Sequence, residues 1–261
     1  MGYLSTGPSG KVFLVGAGPG SPDLLTVRAA RLIGDAAVIV HDGLVSGDIL
    51  ALAKPHARMI SVAKQRSRHS MAQDQINALL IAQALAGHDV VRLKGGDPFI
   101  FGRGGEEAEA CRAAGVAVEI IPGISAALGC AAQAQIPLTH RDAASAVTFV
   151  AGQCKGLSDQ NWAGLAGHGR TLVIYMGIAN ADAIAEKLIA DGASPALPVA
   201  VLENGTRSDF RALRTLLADL GDMVRRERVK SPALLVVGEV AARGKAQDML
   251  LLARQPMEVG R

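Results

Sequence analysis

Apolar residues along the chain follow two rhythms. Short, nearly unbroken apolar runs rich in β-branched residues stand at Val12–Val15, Ala36–Val40, Val90–Leu93 and Val116–Ile121. They return at Val147–Val150, Leu172–Met176, Pro198–Leu202 and Ala233–Val237. Bounded by Gly-rich punctuation and too short for buried helices, they predict strands covered on both faces. Between them, apolar residues recur at helical spacing. The first such segment runs from Ser21 to Gly34, with Ser21 as N-cap, Pro22 at the first helical position and Leu25, Ala29, Leu32 and Ile33 on one face. Further helices are predicted at Ser70–Ala86, at Gly105–Ala114 stopped by Gly115, and at Ala181–Asp191 stopped by Gly192. Strands alternating with helices predict an α/β fold with largely parallel sheets.

The pattern restarts after Ile121-Pro122-Gly123, where an Ala-rich helix over Ser125–Gln133 leads into a new series of strands. Two α/β domains are therefore expected, over 11–122 and 123–245, with 1–10 and 246–261 as loosely held tails. No repeat of fixed period is visible.

Composition narrows the function classes. Aromatic residues make up only 3% of the chain against 30 glycines, so the strands and helices are built from small and branched aliphatics joined by tight turns. A formal charge of +3 with no polybasic run gives no reason to expect a nucleic-acid partner. Neither a basic, apolar leader nor an apolar stretch of about 18 residues is present, so a soluble protein with no membrane partner is expected. Cys111, Cys130 and Cys154 are odd in number and form no CxxC pair, which suggests neither a disulfide framework nor a thiolate metal site and fits a reducing cytoplasm. His140 has no second His or Cys at ligand spacing, and no metal is expected.

Two glycine-rich segments carry the candidate chemistry. Val15-Gly16-Ala17-Gly18-Pro19-Gly20 lies between a predicted strand and helix, where missing side chains let a ligand approach the backbone. Its spacing is GxGxG rather than GxGxxG, and Pro19 removes an amide that a phosphate would need, which weakens a dinucleotide-binding reading. The second is Arg92-Leu93-Lys94-Gly95-Gly96-Asp97-Pro98-Phe99-Ile100-Phe101-Gly102-Arg103-Gly104-Gly105-Glu106-Glu107, directly after a strand. An Asp-Pro turn followed by a helix explains Glu106 and Glu107, which suit the helix dipole. It leaves Phe99, Phe101 and Arg103 without a reason.

That second segment resembles the GGDPFIFGRGGEE signature of the uroporphyrinogen-III C-methyltransferases, of the tetrapyrrole methylase superfamily. Further matches follow in order: the Gly16–Gly20 turn, His41-Asp42-Gly43-Leu44-Val45-Ser46, Pro122-Gly123-Ile124-Ser125, Ile136-Pro137-Leu138-Thr139-His140-Arg141, Tyr175-Met176-Gly177, Glu203-Asn204-Gly205-Thr206 and Ser231-Pro232-Ala233. The resemblance covers roughly residues 11 to 240. The chain departs from the family's usual residues at Ala63, Gln65, Ser125-Ala126 and Ala151-Gly152-Gln153.

The resemblance implies two α/β domains with S-adenosyl-L-methionine in the cleft between them, a homodimer, and transfer of two methyl groups to carbons 2 and 7 of uroporphyrinogen III to give precorrin-2, without a metal. Cofactor contacts carried over by position are Pro19, Gly95, Gly96, Asp97, Ile100, Ser125, Ala126, Met176 and Gly205. Asp42 stands at the position proposed as proton acceptor and Lys64 at that of proton donor, and Arg103 has been considered a base in relatives. Arg103, Glu106, Arg141 and Met176 are the implied substrate contacts. Uroporphyrinogen III carries eight carboxylates, and arginine suits them best; Lys64, Arg66, Arg68 and His69 form a further basic loop. Rival readings are a methyltransferase acting later in corrin synthesis, an NAD(P)-dependent oxidoreductase built on Gly16–Gly20, and a protein that binds without turnover. Sirohaem, cobalamin and haem d1 synthesis all draw on precorrin-2, and 261 residues leave no room for dehydrogenase and chelatase segments, so the product is expected to be handed on.

Overall fold

A computed structural model describes residues 9–63, 71–153 and 161–244, and the backbone of 247–248. Most of both predicted tails, Cys154, and the loop bearing Lys64, Arg66, Arg68 and His69 lie outside the described residues. The chain divides into two units between Ala126 and Ala127.

In the first unit β1 (Val12–Gly16), β2 (Val38–His41), β3 (Arg58–Ser61), β4 (Val90–Lys94) and β5 (Val118–Ile121) form one sheet in the order β3-β2-β4-β1-β5, parallel throughout. Alternate strand residues face opposite ways. Val12, Leu14, Val38, Val40 and Val90 pack with Leu80 and Ala84 of α3 (Gln73–Leu85) and Ala108 and Cys111 of α4 (Gly104–Ala113). Val15, Ile39, Val91, Leu93 and Ile121 pack with Ala29 and Ile33 of α1 (Val27–Asp35) and Ile49 of α2 (Gly47–Leu50). Two covered faces explain why these strands read as continuous apolar runs. The edge strand β3 was not legible because its residues are mostly exposed and mixed in character.

The helix expected from Ser21 is shorter. Pro22–Leu24 makes one 3-10 turn, Leu25 is extended, and α1 begins after Thr26, whose hydroxyl accepts from the Ala29 amide at 3.1 Å. Both Ser21 and Thr26 have a capping hydroxyl; the second one makes the bond, so Leu25 is not on the helix. β2 and β5 likewise begin at Val38 and Val118, later than expected.

The second unit contains most of α5 (Ala126–Gln133), then β6 (Ala144–Ala151), β7 (Gly169–Tyr175), α6 (Ala181–Ala190), β8 (Pro198–Glu203), β9 (Arg211–Leu216), α7 (Leu220–Arg226), β10 (Ala233–Val237) and the short β11 (Gln247–Asp248). Its sheet runs β11-β9-β8-β10-β7-β6. Here the expectation of largely parallel strands fails. β6 and β7 are parallel, as are β9 and β11, but β10 runs antiparallel to both β7 and β8, and β8 to β9. A short connection returns the chain from β8 to β9, and strand–helix alternation carries no information on such a reversal. Trp162, Leu172, Ile174, Ile184, Leu188 and Leu235 are among the core of this unit.

Candidate functional site

In the first unit the candidate residues gather on loops at the carboxyl ends of parallel strands, where ligands of open α/β sheets bind. The turn after β1 and the loop after β4 are tied by a reciprocal backbone pair, Gly18 N to Gly96 O at 3.1 Å and Gly96 N to Gly18 O at 2.7 Å. Gly16, Gly96 and Gly123 meet there: a Cβ on Gly16 would lie 2.5 Å from Gly123 N, and one on Gly123 would lie 2.3 Å from Gly96 O. Gly96 itself has φ +71, and a Cβ there would stand 3.6 Å from Ala126 N and 3.9 Å from Ser125 Cα. Gly96, Ser125 and Ala126 are thus neighbours, with Pro19 and Gly95 on the same pair of loops. Asp97 holds the loop closed, since Oδ1 accepts from Phe99 N at 2.8 Å and Oδ2 from Gly123 N at 3.0 Å.

This geometry does not suit a dinucleotide. The Gly18 amide is spent on Gly96, Pro19 has none, and only a single 3-10 turn over Pro22–Leu24 follows before α1 starts at Val27, so no α-helix begins directly after the glycine turn.

Asp42, just beyond β2, has a 30% exposed side chain over a buried charge cluster. Its Oδ1 accepts from Arg92 Nη2 at 2.6 Å, and Lys94 Nζ lies 3.7 Å from Oδ2. Arg92 and Lys94 alternate on β4 and so share a face. Beneath them Glu107 of α4, 0% exposed, accepts on one oxygen from Arg92 Nε (3.0 Å), Lys94 Nζ (3.1 Å) and Gln73 Nε2 (3.3 Å). Burial and the Arg92 charge hold the Lys94 amine below the ordinary lysine range, against the pull of Asp42 and Glu107. Sequence reading missed this cluster. The available signal was two cations at i and i+2 in an otherwise apolar strand; their carboxylate partners are remote in sequence.

Phe99, Ile100 and Phe101 are exposed, and Arg103 caps α4 with φ +57. Its guanidinium donates twice to Glu106, from Nε at 2.9 Å and Nη2 at 2.5 Å. That bond raises the Arg103 pKa and lowers that of Glu106, so Arg103 is held as a cation and is ill suited to act as a base. Phe99, Arg103, Gly104, Gly105 and Glu106 line an open depression of about 270 Å³.

Three candidates lie in the second unit. Met176, expected as the last residue of a strand, sits just past β7 with φ +56 and is 46% exposed. The neighbouring Tyr175 hydroxyl accepts from Ala127 N at 3.0 Å. Gly205 is buried against α5, with Cys130 directly opposite. Arg141 is exposed beside His140, which borders a separate open depression of about 580 Å³ with Gln135, Ile136 and Arg243. Among the described residues no group of three or more His, Cys, Asp or Glu is placed to hold a metal ion. No helix among them is long and apolar enough to cross a membrane.

The pattern that defines the tetrapyrrole (corrin/porphyrin) methylases matches residues 11–221. The chain is 54% identical over 233 residues to a siroheme synthase of Methylococcus capsulatus and 51% identical over 232 residues to that of Azotobacter vinelandii. These matches cover 88% of this chain and 49% and 50% of those proteins, so the chain spans about half the length of the curated relatives it matches. A solved uroporphyrin-III C-methyltransferase from Thermus thermophilus, complexed with S-adenyl homocysteine, is similar at a TM-score of 0.75 and 36% identity, over 90% of this chain and 100% of that one. A cobalt precorrin-4 methyltransferase is similar at 0.78 and 28% identity, over 88% and 95%. By the extent of the family match and the identity of these relatives, the chain belongs to the tetrapyrrole methylase family.

Proposed function

We propose that this chain is an S-adenosyl-L-methionine-dependent C-methyltransferase that places methyl groups on carbons 2 and 7 of uroporphyrinogen III, giving precorrin-2 and S-adenosyl-L-homocysteine. The observation that carries the reading is the Gly95–Glu107 loop and helix start. Gly96 brings bare backbone beside Ser125 and Ala126, and Phe99, Ile100, Phe101 and Arg103 are exposed. The T. thermophilus relative, whose complex holds the demethylated form of this cofactor, supports the same reading.

Pro19, Gly95, Gly96, Asp97, Ile100, Ser125, Ala126, Met176 and Gly205 are the proposed cofactor contacts. Bound there, the cofactor supplies an electrophilic sulfonium methyl, and the protein's task is alignment with the pyrrole carbon followed by removal of a proton. Asp42 takes that proton: it is the partly exposed carboxylate of an otherwise buried charge cluster. Lys64 is the proposed proton donor. Arg103, fixed as a cation by Glu106, and Arg141 bind substrate carboxylates, with Glu106 and Met176 as further contacts. A homodimer in the cytoplasm that hands precorrin-2 to sirohaem, cobalamin or haem d1 synthesis completes the proposal.

The deciding experiment is anaerobic incubation of the protein with the cofactor and freshly generated uroporphyrinogen III, followed by mass spectrometry of the tetrapyrrole. A gain of two methyl groups is expected. Cofactor binding without methylation overturns the substrate and favours a later corrin, the reading that the precorrin-4 methyltransferase similarity supports.

A further inference from the structure

Glu107 is unusual among the charged residues described. It is fully buried, in the first turn of α4, with no contact to solvent. One of its oxygens accepts from Arg92, Lys94 and Gln73, and the other has no hydrogen-bond partner. Burying an ion this way is unfavourable unless its partners recover the loss, and hydrophobic residues of similar size often do as well. A stability role therefore explains it poorly.

Its position explains more. Arg92 reaches both carboxylates, through Nε to Glu107 and Nη2 to Asp42. Lys94 does the same, with Nζ 3.1 Å from Glu107 and 3.7 Å from Asp42. Two cations on one face of β4 are thus held from below by Glu107 and offered from above to Asp42, and the four formal charges cancel. With Glu107 absent, two buried cations would share the single carboxylate of Asp42 and draw it inward, away from the surface on which it is 30% exposed.

We propose that Glu107 is a positioning residue for methyl transfer, acting through Arg92 and Lys94 to hold the Asp42 carboxylate at the surface of the site. The inference rests on the reading of Asp42 as proton acceptor.

The test combines kinetics with a structure. Glu107→Gln and, as a second variant should the first not fold, Lys94→Met are made alone and in an Asp42→Asn background, with single-turnover methyl transfer from labelled cofactor. In the native background the single-turnover rate should fall by about tenfold or more, part of the roughly 10²–10⁴-fold that a positioned acid or base contributes, while steady-state KM values and S-adenosyl-L-homocysteine binding hold steady. In the Asp42→Asn background the same substitution should cost less than about twofold, because residues acting through one group are not additive. Equal losses in both backgrounds would mean that Glu107 serves the fold, and the proposal is overturned. A crystal structure of Glu107→Gln gives an answer independent of turnover. Displacement of the Asp42 carboxylate from its native place supports the proposal, and an unmoved one overturns it. If native protein does not methylate uroporphyrinogen III, the functional reading fails on its own, and the structural arm still decides whether Glu107 positions Asp42.

Discussion

Gly205 has no space for a side chain: a Cβ there would lie 2.0 Å from Cys130 Sγ and 2.9 Å from Cys130 Cβ. Gly205→Ala is therefore expected to destabilise the second unit by about 1–3 kcal/mol through overpacking. Urea denaturation checks this, and Cys130→Gly in the same chain should recover most of the loss; equal stabilities of native and Gly205→Ala protein would refute the clash. Cys130 also makes a pH prediction. Burial raises its thiol from 9.0 to about 11. The folded state keeps that proton after the unfolded state has lost it, so the thiol costs nothing below pH 9 and weakens the fold as pH rises from 9 towards 11. The full effect is about 2–3 kcal/mol from the size of the shift. Alkaline denaturation of Cys130→Ala should be flatter than that of native protein over this window, and parallel curves would rule the effect out. At this scale the sequence was a partial guide. Motif matching singled out Gly205 and Asp97, but only the fold packs Gly205 on a cysteine and lets Asp97 brace its own loop.

Elements were legible where one rule acts alone. The strands β1, β4, β8 and β10 emerge close to their apolar runs because both faces are covered. Helices α4 and α6 end where Gly115 and Gly192 take up positive φ, the conformation a helix stop favours. Where two signals competed, the reading went astray: Ser21 with Pro22 offers one helix start and Thr26 another, and only Thr26 makes the capping bond to α1. Thr26→Ala should accordingly cost about 1 kcal/mol in urea denaturation, and an unchanged stability would rule out the Thr26 cap. β9 was missed although its buried Leu213 and Thr215 alternate with less buried residues, a period-two pattern hidden by Arg211 and Arg214.

For the whole molecule, composition and alternation sufficed for the α/β class, since each unit is a sheet with helices. They did not suffice for strand direction. The first sheet is wholly parallel and the second mixed, a difference set by how each connection returns rather than by the strands themselves. The charge cluster under Asp42 was beyond reach for a similar reason. β4 brings Arg92 and Lys94, α4 brings Glu107, and the loop after β2 brings Asp42; their meeting is a property of topology. The parallel order of the first sheet has a consequence in time as well. β1 pairs with β4 and β5 and with no strand made between. On a ribosome, Val12–Gly16 therefore emerges long before either neighbour exists, and long-range pairing of this kind is slow and exposed to misassociation. Val12, Leu14 and Val15, each fully buried in the finished sheet, are residues a nascent chain must shield until Val90–Lys94 has been synthesised.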